Sequence, residues 1–323
     1  MDIKHLVFGG GGPSCFLIYG AVRELNKLDY WKMENIKSIY GCSSGAWLGL
    51  LISLGFDWDT LDSYLIKRPW EKMINIGPTE VINSFSTKGL VSRDFIMNTV
   101  KPVLQARDLD IKCTFLEHFK ATNIELHFYT VDLNTKTMSK VDISYKTHPD
   151  LPIIDGLTMT MAVPILIVPH IIDRCCYIDG GVLNNFPLID CLEQQNNPKE
   201  NEVLAFKAHW EENNEIIITD ETNLLQFISH FIRKLTQFTS NFKNEQINWE
   251  NIIECKMKDP GGPIGWIDVF SNEEMRIEYI EKGKESAELF LRNKELKNNN
   301  EFKDKIENFE IKSETSNENL PDL

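Results

Sequence analysis

A chain of 323 residues, 42% of them hydrophobic and 25% charged, is long enough for one large domain with a substantial core. Its formal net charge of -14 leaves no concentrated basic face of the kind nucleic-acid binding requires. Seven cysteines, at Cys15, Cys42, Cys113, Cys175, Cys176, Cys191 and Cys255, form no CxxC pair and no framework spacing, which fits buried thiols in a reducing compartment.

In chain order, Leu6-Val7-Phe8 reads as a first short strand. This apolar run is too short for a signal-peptide core and has no small-residue cleavage site behind it, so a cytoplasmic protein is expected. Phe16 to Leu28 has helical spacing, Ile36 to Tyr40 reads as a second strand and Ala46 to Leu54 as a second helix. The alternation predicts an α/β fold with a mainly parallel sheet. Ser92 to Leu104 follows as a helix and Leu126 to Val131 as an alternating strand. Leu151 to Ile172 is apolar, but Pro152, Asp155, Pro164 and Pro169 rule out the roughly 20 uninterrupted apolar residues of a membrane span. It reads as buried core chain.

Beyond it, Gln194 to Glu202 is a surface loop and Val203 to Phe206 a strand. Leu224, Ile228, Phe231, Leu235 and Phe238 recur at helical spacing beside Arg233 and Lys234. That helix either packs on the sheet or gives peripheral contact with a bilayer. Glu273 to Arg292 predicts a closing helix. The remaining residues, 293–323, are polar and charged, so a domain over 1–292 with a mobile tail is expected.

Three local patterns carry chemistry. Gly41-Cys42-Ser43-Ser44-Gly45 lies between a strand and a helix, the context in which G-x-S-x-G forms a sharp nucleophile turn. Glycine at 41 and 45 relieves crowding there, and Ser43 sits at a helix N-terminus that favours developing negative charge. Gly9-Gly10-Gly11-Gly12 follows the first strand. Main-chain N–H groups in such a loop suit an oxyanion; the dinucleotide pattern fails because Ser14 or Cys15 stands where the third glycine belongs, and no Gly-Lys-Ser/Thr follows. Asp179-Gly180-Gly181 ends the strand-like Cys176-Tyr177-Ile178, which alone reads as an Asp-Gly turn. No His/Cys cluster or calcium loop is visible, so neither a metal nor any other cofactor is expected.

Taken together and in this order, the three patterns resemble the patatin-like phospholipases. Lys88-Gly89-Leu90, Thr114-Phe115, Val131-Asp132-Leu133, Ala162-Val163-Pro164, Asn185-Phe186-Pro187 and a closing helix over Phe270 to Leu291 look like further landmarks of that family. The resemblance implies a three-layer α/β/α fold and a phospholipase A or lysophospholipase activity on lipid or lysolipid. It also implies a catalytic dyad without histidine: Ser43 as nucleophile, Asp179 as general base, and Gly10, Gly11 and Gly12 as the oxyanion loop. One departure stands out. The family usually places a basic residue and a final glycine after its glycine run, where this chain reads Pro13-Ser14-Cys15. Two alternatives remain open: a Ser-His-Asp esterase using His209 or His230, and a catalytically silent relative that binds lipid or a partner protein. Against the first, only one strand and one helix fit before Ser43.

Overall fold

The computed structural model describes residues 2–73, 76–211, 217–224, 226–228, 230–231, 234–235, 249–258, 260 and 262–317. The first half runs β1 (His5–Phe8), α1 (Ser14–Lys27), β2 (Ser38–Cys42), α2 (Ser44–Ser53), α3 (Trp58–Lys67), α4 (Pro78–Thr87), β3 (Gly89–Val91), α5 (Arg93–Gln105), α6 (Phe115–Thr122) and β4 (Glu125–Asp132). Next come β5 (Ser139–Ile143), α7 (Ile153–Thr160), β6 (Ile165–Ile167), β7 (His170–Ile172), β8 (Cys175–Asp179), α8 (Gly181–Asn184) and α9 (Leu188–Gln194). β9 (Val203–Glu211), β10 (Ile252–Lys258), α10 (Gly262–Ser271) and α11 (Glu273–Asn317) complete it.

The central sheet has the order β10-β9-β1-β2-β4-β8-β7, with β5 on β4 as well. Strands β10, β9, β1, β2 and β4 are parallel, and the burial of β1, β2, β4 and the start of β9 on both faces explains why these read as apolar runs. The two-residue side-chain period divides them between two cores. Leu6, Phe8, Ile39, Phe128, Leu204 and Phe206 enter a large core with α1, α2 and α11. Val7, Tyr40, Tyr129, Val203 and Ala205 enter a smaller one with Leu188 and Cys191 of α9. The result is the three-layer arrangement.

Antiparallel β8 decides where the site forms. Tyr129 pairs with Cys42 on one side and Asp142 on the other, and Thr130 pairs with Asp179 and Val141. Since β5 occupies one edge of β4 over Phe128–Asp132, overlapping the registers of both other strands, β2 and β8 share the opposite edge. β2 runs up it and stops, and β8 runs down to meet it.

Three expectations shift. The strand expected over Ile36 to Tyr40 is Ser38–Cys42 and runs directly into Ser43. The stretch ending at Ile172 is core over α7, but Ile171 and Ile172 are exposed because β7 is the edge strand. The closing helix expected over Glu273 to Arg292 begins after a break from α10 at Asn272 and, as α11, reaches Asn317. In the 224–238 stretch, Leu225, Arg233 and Phe238 lie outside the described residues, while Leu224, Phe227, Phe231 and Leu235 are exposed. Among the described residues no helix is long and apolar enough to cross a membrane.

Candidate active site

Ser43 joins β2 to α2 with φ 53° and ψ -127°, a conformation that costs a non-glycine residue about 1–3 kcal/mol and persists only where its surroundings enforce it. Here they do. A Cβ at Gly41 would lie 2.5 Å from the Ala46 Cα, and one at Gly45 would lie 2.5 Å from the carbonyl oxygens of Phe8 and Gly9. Strand and helix therefore approach closely enough to force the turn. The Ser43 N–H donates to Thr160 Oγ1 at 2.9 Å, and the Thr160 hydroxyl donates in turn to the Tyr129 carbonyl. α7 and β4 thus pin the elbow.

Asp179 ends β8 and is buried. Its own amide donates to the Ala162 carbonyl at 2.9 Å, and its Oδ1 accepts the Gly181 N–H at 2.7 Å. Oδ2 is buried and makes no hydrogen bond of normal geometry. Burial raises the carboxyl from 3.8 to about 6, against the opposing effects of the nearby Ser43 hydroxyl and the Gly181 amide. A hydroxyl close enough to act on the carboxylate, yet not in a formed hydrogen bond, is the looser geometry common before substrate arrives. Gly180 follows where any side chain would strike the Tyr129 carbonyl.

The glycine loop lies against the serine: a Cβ at Gly10 would be 3.0 Å from the Ser43 Cβ. The three glycines are not equivalent. The Gly10 amide is committed to the Asn185 carbonyl at 3.0 Å, and the Asn185 Nδ2 donates back to the Gly10 carbonyl at 3.0 Å. Gly10 is therefore in the loop without a spare donor. Among the described residues, the amides of Gly11 and Gly12 make no hydrogen bond within the protein. Gly12 has φ 57° and faces the Trp266 indole, which a Cβ there would meet at 2.6 Å. Ser14, at the position where the resemblance led one to expect a basic residue, has a buried hydroxyl without a hydrogen-bond partner.

No hydrogen bond joins a described histidine to Ser43 or Asp179. His5 bonds Ser38, His118 bonds Ser53, His127 bonds Asp142 and His148 bonds Thr147. His209 is exposed on β9. Among the described residues no group of three or more His, Cys, Asp or Glu is arranged to hold a metal ion. Sequence reasoning missed Thr160, Trp266 and the role of Asn185. Asn185-Phe186-Pro187 was visible as a pattern, but nothing local tied it to Gly10, 175 residues away.

Comparison with known proteins gives three findings. The sequence model of the patatin-like phospholipases matches residues 6–192. The chain is similar to Probable lipid hydrolase 463L of Invertebrate iridescent virus 6, 29% identical over 194 residues, which is 60% of this chain and 64% of that protein. It is also similar to Uncharacterized protein R571 of Acanthamoeba polyphaga mimivirus, 24% identical over 190 residues, 58% of this chain and 61% of that one. Each match spans less than two thirds of the viral protein's length. In three dimensions the chain is similar to the crystal structure of VipD from Legionella pneumophila, with a TM-score of 0.53 at 16% identity, covering 91% of this chain and 67% of VipD. That likeness is one of fold.

Proposed function

The chain belongs to the patatin-like phospholipase family, and from that premise we propose that it hydrolyses fatty-acyl esters of lipids or lysolipids with Ser43 as nucleophile and Asp179 as general base. The observation that carries this reading is the buried Asp179 Oδ2, unpartnered beside a strained serine. A buried acceptor left unpaired costs about 1–3 kcal/mol. It has a use here as the acceptor of the serine proton.

In the reaction, Ser43 Oγ attacks the ester carbonyl as its proton passes to Asp179. The amides of Gly11 and Gly12 hold the oxyanion, and one well-placed donor of this kind is worth about 3 kcal/mol. Asp179 then protonates the leaving alcohol, and water attacks the acyl-serine by the reverse route. A free aspartate is a weak base near neutral pH; burial brings this one to about 6, closer to the operating range. The cysteines are free, which supports a setting in a reducing compartment such as the cytoplasm. Mass-spectrometric profiling of a lipid extract incubated with wild type and Ser43→Ala tests the proposal. Fatty acid released by the first alone bears it out, and equal profiles refute it.

A further inference from the structure

We propose that α4 and the β7–β8 hairpin together form a docking surface that seats the Ser43 site on a lipid bilayer. The proposal rests on the reading of the chain as a lipid hydrolase and adds where the substrate surface is engaged.

Helix α4 buries none of its residues. Ile82 and Phe85, three apart and so on one face, are 70% and 86% exposed. On β7, Ile171 and Ile172 are 56% and 43% exposed. Isolated exposed apolar residues need no explanation, but a set of large ones at one place does.

The two elements are neighbours although almost ninety positions separate them in sequence. β3 follows α4 directly and pairs with β6, Gly89 opposite Ile165 and Val91 opposite Ile167. The Val168 amide donates to the Val91 carbonyl at 3.0 Å, and the chain continues into β7. Lys88, the left-handed C-cap of α4, lies close enough to Cys176 to act on its thiol. Cys176 is the ladder partner of Ile171.

The surface stands above the site. β8 runs from the hairpin tip at Cys175 down to Asp179, four residues at about 3.3 Å each, so the tip projects ~13 Å beyond the carboxylate. An apolar element sinks about 5–10 Å into the headgroup boundary. That insertion closes most of the gap between Ser43 and the ester level of a lipid.

Charge at this surface suits a bilayer. Asp173 and Arg174 turn the hairpin with φ 48° and 69°, the two positive angles of a tight hairpin turn that glycine or asparagine usually fills. The chain accepts this conformational cost with arginine at the exposed tip. Lys88 is likewise exposed. Counted with Asp173 at the tip and Glu80 on α4, Lys88 and Arg174 leave the patch formally neutral in a protein of net charge -14, so anionic headgroups are repelled less here than by the rest of the surface.

The test is co-sedimentation of the full chain, in a Ser43→Ala background that leaves lipid intact, with vesicles of phosphatidylcholine alone and of phosphatidylcholine mixed with phosphatidylglycerol. Replacing Phe85 and Ile171 together by serine is expected to lower partitioning about tenfold or more on both vesicles. Lys88→Gln with Arg174→Gln is expected to lower it only on the anionic ones. With Ser43 restored, turnover of a water-soluble short-chain ester stays at the wild-type value in both variants. Unchanged partitioning of the Phe85→Ser/Ile171→Ser protein overturns the proposal. So does loss of binding through Phe227→Ser/Phe231→Ser alone, or a dimer in sedimentation velocity that Phe85→Ser dissociates without any vesicle binding. Partitioning as expected in a protein whose wild type turns over no ester leaves the docking surface standing and removes the proposed chemistry.

Discussion

Ser43 and Asp179 meet because two strands of opposite direction end on the same edge of β4. Cys42 pairs with Tyr129, and Asp179 pairs with the next residue, Thr130. The serine leaves β2 just above that point and the aspartate closes β8 at it. No loop is needed to bring the side chains together, which gives the pair the rigidity that the proposed proton transfer would demand.

Ser43→Ala is expected to abolish turnover of a chromogenic short-chain ester, and Asp179→Asn to lower kcat/KM by several orders of magnitude. His209→Ala should retain most activity, since His209 is exposed on β9. The reverse ranking, measured under identical conditions with circular dichroism confirming the fold, would sink the dyad.

Asp179 is held protonated below about 6, so kcat/KM should rise with pH along a limb whose apparent pKa lies near that value. Its folded pKa stands above the unfolded 3.8. Its contribution to stability is therefore fully present below that value and is lost as pH rises through about 6. The difference corresponds to about 3 kcal/mol at neutral pH. Asp179→Asn, which keeps an oxygen for the Gly181 amide, should raise the urea midpoint at pH 7 and change it little at pH 4. An inactive variant no more stable than wild type at pH 7 speaks against the buried charge.

Gly12→Ala places a methyl against the Trp266 ring and forces alanine to φ 57°. Since Gly12 carries one of the two amides proposed to hold the oxyanion, kcat is expected to fall roughly 100- to 1000-fold. Gly10 carries no spare amide, so any loss in Gly10→Ala should come from its methyl pressing on Asn185 and the Ser43 side chain and be visible as lowered stability. A Gly12→Ala enzyme of normal kcat removes the loop from the mechanism.

Thr160→Val keeps the side-chain shape but leaves the Ser43 amide without its partner and the Tyr129 carbonyl with only the long contact from the Cys42 thiol. A stability loss of about 1–3 kcal/mol is expected in denaturant titration, together with a fall in kcat as the elbow loosens. Thr160→Ser should restore both. Failure of serine to rescue would mean that the methyl group, not the hydroxyl, is what the site needs.

The parts of this site legible in the sequence were those in which a few neighbouring residues contain the whole physical reason. Gly41 and Gly45 flank Ser43 because strand and helix collide there, and the flanking apolar runs gave away both elements. Even so the strand was read two residues early, since Gly41 carries no strand propensity and only pairing with Phe128 shows that it belongs to β2. Asp179 looked like any Asp-Gly turn.

Sequence alone thus determined the α/β layering, through apolar runs of strand and helix period, and it marked Ser43, because elbow strain is a local property of five residues. The tertiary structure decided the rest. That β8 runs antiparallel and shares an edge with β2, and that Asn185 occupies the Gly10 amide, are matters of pairing between distant segments. Hydrogen-bond register and burial arise only when those segments meet, and no window along the chain contains both partners.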